Sequence, residues 1–137
     1  MELADTSAWK SHARSDPTQH DFTTKLARGD IATCDPVVYE LLFSERDHDG
    51  LVRRHEDLAL LPQLPVGHRV WKRALAVFEL LAARGPLHHR QIGILDLLIA
   101  AAAQQAAIPV LHYDHHFELI AAVTEQPVRA LAPLGSL

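Results

Sequence analysis

One cysteine, Cys34, stands alone among 137 residues, so no internal disulfide can staple the fold. The longest unbroken apolar run, 97–103, falls far short of the ~20 residues that a membrane-spanning helix needs. The chain opens Met-Glu-Leu-Ala-Asp, with no basic stretch leading into an apolar one. These absences predict a soluble, cytoplasmic protein with no membrane association. There is no internal repeat, low-complexity tract or linker. Positive charge is not in excess either: 13 Lys and Arg face 17 Asp and Glu, a formal net charge of −4. That balance argues against a protein that holds nucleic acid by bulk electrostatics.

What is present suits one globular domain over 1–137. Hydrophobic residues make up 48% and charged residues 22%, and a chain of this length buries roughly two-thirds of its unfolded surface without a disulfide or structural metal. Its charge is unevenly spread. Residues 1–45 sum to −4, residues 46–90 to +3 and residues 91–137 to −3. The middle third is therefore the expected contact face for a polyanion, with Arg69, Lys72, Arg73 and Arg90 as candidates, unless the first three are simply the solvated side of a helix.

Strand and helix signals alternate. Residues 1–5 and 31–33 read as short strands. Ser15-Asp16-Pro17 opens a helix closed at Gly29, and Asp35-Pro36 opens another with Val37, Val38, Leu41 and Leu42 on its apolar face. Helices are predicted over 47–60 and 68–84, with Val66 in a strand between them and Trp71 and Phe78 expected in the core. An alanine-rich helix from Asp96 to Ala107 is apolar nearly all round and should be well buried. Residues 108–112 form a strand, 114–123 a short helix and 128–131 an edge strand. Such alternation predicts a three-layer α/β/α sandwich with a mostly parallel central sheet. Ligands then bind outside the carboxyl ends of the strands, where strand order reverses.

Four carboxylates fall where this architecture would gather them. Asp5 ends the first strand, Glu40 lies one turn into the helix after the second, Asp96 opens the buried helix, and Asp114 follows the strand 108–112. Taken singly, Asp96 and Asp114 also read as helix N-caps and Glu40 as a solvated helix residue. Taken together, four converging acids repel one another unless a cation neutralises them. Hard oxygen ligands suit Mg²⁺ or Mn²⁺, and such a centre serves phosphodiester chemistry. Ten histidines, His112, His115 and His116 among them, raise the alternative of zinc, but the single cysteine is far away in sequence.

The blocks around these acids resemble the PIN-domain family. Asp5-Thr6-Ser7-Ala8-Trp9 is similar to its opening. Val38-Tyr39-Glu40-Leu41-Leu42, Leu95-Asp96-Leu97-Leu98-Ile99-Ala100-Ala101 and Leu111-His112-Tyr113-Asp114-His115-His116-Phe117 are similar to the later blocks. Their order and spacing look like those of the VapC toxins, the nuclease halves of type II toxin–antitoxin pairs. The resemblance implies a Mg²⁺- or Mn²⁺-dependent endoribonuclease with Asp5, Glu40, Asp96 and Asp114 as catalytic, metal-binding acids and Thr6 as an auxiliary residue ordering the site. It implies structured RNA (tRNA or rRNA) as substrate, a homodimer, and a VapB-like antitoxin held in a heterotetramer or larger complex. Two departures are His116, where many members carry another Asp, and His112, where many carry Thr or Ser. His116 is therefore expected as an auxiliary residue beside a well-formed first metal site, with a second site weak or absent. The competing reading is a PIN-like module that binds antitoxin or RNA without efficient cleavage. A phosphatase is disfavoured, because Asp5-Thr6-Ser7 lacks a second Asp two residues on. The short segment before Asp5 suggests a loosely paired first strand.

Overall fold

A computed structural model describes residues 1–137. Five short strands form one parallel sheet: β1 (Glu2–Ala4), β2 (Ile31–Cys34), β3 (Gln63–Leu64), β4 (Val110–His112) and β5 (Val128–Ala130), in the spatial order β3-β2-β1-β4-β5. Seven helices connect and cover them: α1 (Thr6–Ser11), α2 (Asp16–Ala27), α3 (Asp35–Phe43), α4 (His48–Leu58), α5 (His68–Ala82), α6 (Ile94–Ala106) and α7 (His115–Thr124).

Alternation along the strands divides the core into two. Leu3, Ala32, Cys34 and Val110 face one side, where they meet α3, α5, α6 and α7. Ala4, Ile31 and Leu111 face the other, against Ala8 of α1 and Phe22 of α2. The result is the expected three-layer α/β/α sandwich. Its thick side is organised by α6, in which every residue from Leu97 to Ala103 is buried. Small alanine side chains let α5 lie close along it, and the two helices pack directly.

Local chemistry sets most boundaries. Ser15 Oγ accepts the Thr18 N–H and Pro17 follows at the start of α2, while Gly29 leaves that helix at φ 75°. Asp47 caps α4 through the Gly50 N–H at 2.8 Å.

Several expectations need correction. The segment after Asp5, for which the sequence predicts no element, is α1. The third strand is Gln63–Leu64 rather than Val66; its register is set by pairing, Thr33 opposite Gln63 and Cys34 opposite Leu64. Helix α6 begins at Ile94 with Gly93 as its cap, so Asp96 is inside the first turn and is not an N-cap. Trp71 and Phe78 are on the outer side of α5, 44% and 37% exposed, because Val70, Ala74, Val77 and Leu81 take the inward stripe. Finally, β1 is not loosely paired. It is the central strand, hydrogen-bonded on both sides and fully buried.

The central strand is also anchored by charge. Arg129 of β5 donates from Nε and Nη2 to the two Glu2 oxygens at 2.7 and 2.8 Å, and Lys25 of α2 adds a third bond at 2.9 Å. Asp21 stands 3.4 Å from both cations. Burial alone pushes the Glu2 carboxyl up, but Arg129 and Lys25 together outweigh it and hold the group at about 2.

Candidate active site

Because all five strands run parallel, their carboxyl ends share one edge. Strand order reverses at β1, with β2 on one side and β4 on the other, so the crevice opens above β1 and β4. Asp5 is the residue after β1 and Asp114 the second after β4. Glu40 enters from α3, which follows β2, and Asp96 from the first turn of α6. The four acids are placed along this one edge, and Asp96 is near enough to Asp5, Glu40 and Asp114 for their charges to bear on one another.

Each is held by its own bonds. Asp5 caps α1, accepting the Ala8 N–H at 3.0 Å and the Ser7 hydroxyl at 2.7 and 2.9 Å. Thr6 donates its hydroxyl to Glu40 Oε1 at 2.9 Å, linking the start of α1 to α3. Asp114 caps α7 by accepting the His116 N–H at 3.0 Å on Oδ1, so its capping role and its place in the crevice coexist. Asp96 Oδ2 meets His116 Nδ1 at 3.2 Å, and Asp114 Oδ2 stands 3.6 Å from the same nitrogen.

The electrostatics are those of crowded anions. Burial, with Asp96 nearby, pushes the Asp5 carboxyl up to about 7 despite the Ser7 and Ala8 bonds. Burial, with Glu40 and Asp114, raises Asp96 as well, against the pull of His116. Each influence of one acid on another is a statement of proximity. Neither lysine nor arginine forms a salt bridge with any of the four; the nearby bases are His115 and His116. A carboxylate set with this charge and two flanking imidazoles fits a divalent cation in its donor chemistry.

Three further residues shape the site; Ser7 and Lys10 were not singled out from sequence, and His112 stood out there only as a departure from the family pattern. Ser7 bonds Asp5 and also accepts the Tyr113 N–H at 2.8 Å, so one hydroxyl ties the end of β1 to the loop after β4. We expect Ser7→Ala to lower stability by about 1–3 kcal/mol in urea denaturation, since it orphans a partly buried amide. Cleavage should fall with it, because Asp5 loses its lateral restraint. His112 is fully buried; its Nδ1 accepts the Asp114 N–H at 3.1 Å, leaving Nε2–H to donate to Glu118 at 3.1 Å. Burial holds this imidazole below its ordinary value, so a neutral ring orients the Asp114 backbone. Lys10 borders a shallow depression with Tyr39, Glu40, Phe43 and Leu95, which puts a cation on the Glu40 side of the crevice. For Ser7 and Lys10, the Asp-Thr-Ser run after β1 was the only hint.

The expected RNA contacts divide. Arg90 is exposed in the 3₁₀ turn His88–Gln91 that leads into α6. Arg73 donates to Gln104 Oε1 at 2.7 Å. Gln104 is eight residues along α6 from Asp96, about 12 Å at 1.5 Å per residue. Arg69, Lys72 and Arg73 therefore mark the end of α5 remote from the acids.

Residues 3–123 match the PIN domain family model. The chain belongs to the PIN-domain family. Within it, this PIN domain is of the VapC type: it is 38% identical over 136 residues to Ribonuclease VapC18 of Mycobacterium tuberculosis, covering 97% of this chain and 96% of that protein. It is 35% identical over 137 residues to Ribonuclease VapC21 of the same species, covering 98% and 95%. Among solved structures, the DNA-bound VapBC of Salmonella typhimurium superposes with a TM-score of 0.71 at 14% identity, over 96% of this chain and 100% of that one. VapBC-5 of Mycobacterium tuberculosis gives 0.61 at 24% identity, over 94% and 95%. At those identities the shared property is the fold.

Proposed function

We propose that this PIN domain is the toxin of a type II toxin–antitoxin pair, a Mg²⁺- or Mn²⁺-dependent endoribonuclease that cuts structured RNA such as tRNA or rRNA. It acts in the cytoplasm as a homodimer, and a VapB-like antitoxin silences it within a larger complex. The carrying observation is the gathering of Asp5, Glu40, Asp96 and Asp114 at the reversal of strand order, with Asp5 and Asp96 pushed up and no lysine or arginine paired to them. The ribonuclease names of full-length relatives support the reaction, and the toxin–antitoxin complexes among the structural neighbours support the partner. No helix is long and apolar enough to cross a membrane.

Asp5, Asp96 and Asp114 would hold the cation, with Glu40 holding the cation or its water. A divalent ion held there would supply Lewis acidity, lowering the pKa of a water and offsetting negative charge on the phosphate. Ser7 keeps Asp5 turned into the crevice, and Thr6 does the same for Glu40. The neutral His112 sets the backbone from which Asp114 projects. Lys10 and Arg90 meet phosphates flanking the cut. Arg69, Lys72 and Arg73 reach only RNA that extends along α5 and α6.

The test pairs a cleavage gel on tRNA and rRNA fragments with a calorimetric titration of MnCl₂. Cleavage should stop with EDTA and return with MnCl₂ or MgCl₂. Ion binding with RNA left intact would favour the binding-module reading, and EDTA-resistant cleavage would overturn metal dependence.

A further inference from the structure

His116 contributes the only nitrogen within reach of two of the four acids. Its Nδ1 is 3.2 Å from Asp96 Oδ2 and 3.6 Å from Asp114 Oδ2. Neighbouring ligands of a six-coordinate ion with bonds of about 2.1 Å stand about 3.0 Å apart. The first spacing is close to that edge and the second slightly wider, so Nδ1 stands at a ligand-like distance from an oxygen of each acid, and the ligand atoms of Asp114, His115 and His116 all lie within 4.8 Å of one another. The ring is not there by chance rotation. The His116 N–H is bonded to Asp114 Oδ1 at 3.0 Å as part of the α7 cap, which fixes the residue at the first turn. The half-buried ring also lies against His115, with centroids 4.6 Å apart.

We propose that His116 is a nitrogen ligand of the cation seat, bound through Nδ1 beside Asp96 and Asp114, and that it tilts the site towards Mn²⁺ and away from Mg²⁺. This rests on the reading of the four acids as a cation seat and adds to it a donor that changes which ion is held. Mg²⁺ takes oxygen ligands almost exclusively, whereas imidazole suits the later divalent ions. A seat of carboxylates plus one imidazole therefore discriminates where an all-oxygen seat does so less. His115, whose Nδ1 is 3.4 Å from Asp114 Oδ1, is close enough to Asp114 and His116 to share an ion with them, but it faces solvent and forms no bond with Asp96; it supplies the control.

The experiment measures MnCl₂ and MgCl₂ affinities of the full chain by calorimetry and Mn²⁺ electron paramagnetic resonance, without RNA. The proteins are wild type, His116→Asp, His116→Asn, His115→Ala and Asp96→Asn, each checked for folding by circular dichroism. The ratio of Mg²⁺ to Mn²⁺ dissociation constants should fall about tenfold in both His116 variants and stay unchanged in His115→Ala. In wild-type protein loaded with CoCl₂, proton NMR should show a paramagnetically shifted imidazole N–H that both His116 variants lack. Asn at 116 can still hydrogen-bond Asp96, so it separates ligation from simple support. An unchanged ratio in folded His116 variants, with binding lost in Asp96→Asn, would overturn the ligand role and leave the cation seat standing. Absence of any Mn²⁺ binding in wild type would overturn both.

Discussion

Asp96→Asn is expected to reduce metal-dependent RNA cleavage about a thousandfold or more while leaving the fold intact. Asparagine matches the shape of aspartate and can still bond His116, so packing at the first turn of α6 is retained. What goes is a negative charge at the meeting point of the crevice, and several kcal/mol of transition-state stabilisation by a bound ion go with it. The same change relieves repulsion: Asp96 helps to push Asp5 up, and Glu40 and Asp114 push on Asp96. In EDTA, the variant should therefore be as stable as wild type or more so, by up to about 1 kcal/mol. Opposite movement of activity and stability separates this outcome from misfolding. Cleavage at the wild-type rate by purified Asp96→Asn protein would remove the acid from the reaction.

The largest effect on stability is expected at the opposite end of β1. Glu2 has its carboxyl held at about 2, below the ordinary 4.5. The sign follows from linkage. The folded state favours the ionised form, so this contribution is complete above about pH 4.5 and disappears as pH falls towards 2. Glu2→Gln should cost about 2–3 kcal/mol at neutral pH, because Arg129 and Lys25 lose a partly buried partner; their own exposure moderates the loss. Urea denaturation across pH 2 to 7 should show the wild-type and variant stabilities converging at the acid end. Parallel curves would mean that Glu2 contributes by packing alone.

The positions of the four acids were legible because each is adjacent to an element boundary that local chemistry marks. Asp35-Pro36 announces α3 and so places Glu40 one turn in; the apolar run of α6 makes a charged residue at 96 conspicuous. The parallel alternation then specifies the shared edge. What could not be read depends on contacts between distant residues. Ser7 matters because Tyr113, 106 positions later, lends it an N–H. The two-residue strand β3 has no period to detect and exists by pairing with Thr33 and Cys34. On α5 the apolar arc is wide enough that periodicity cannot say whether Val70 and Val77 or Trp71 and Phe78 turn inward; packing on α6 decides it. The same packing direction carries Arg73 to Gln104 and away from the acids. Helix α1, only six residues long, is too short for a periodic signal, and its cap was read first as an acid of the crevice.

The first strand is the middle of the sheet, yet one of its neighbours is more than a hundred residues downstream: Leu3 lies opposite Val110, and the Asp5 N–H donates to the Leu111 carbonyl at 3.0 Å. Pairing at such separation comes late, and chains emerge from the ribosome amino end first. During synthesis Asp5 and Glu40 thus exist for most of the elongation time without Asp114. A growing chain cannot assemble the complete acidic set beside the translation machinery that is making it until β4 has left the exit tunnel and docked.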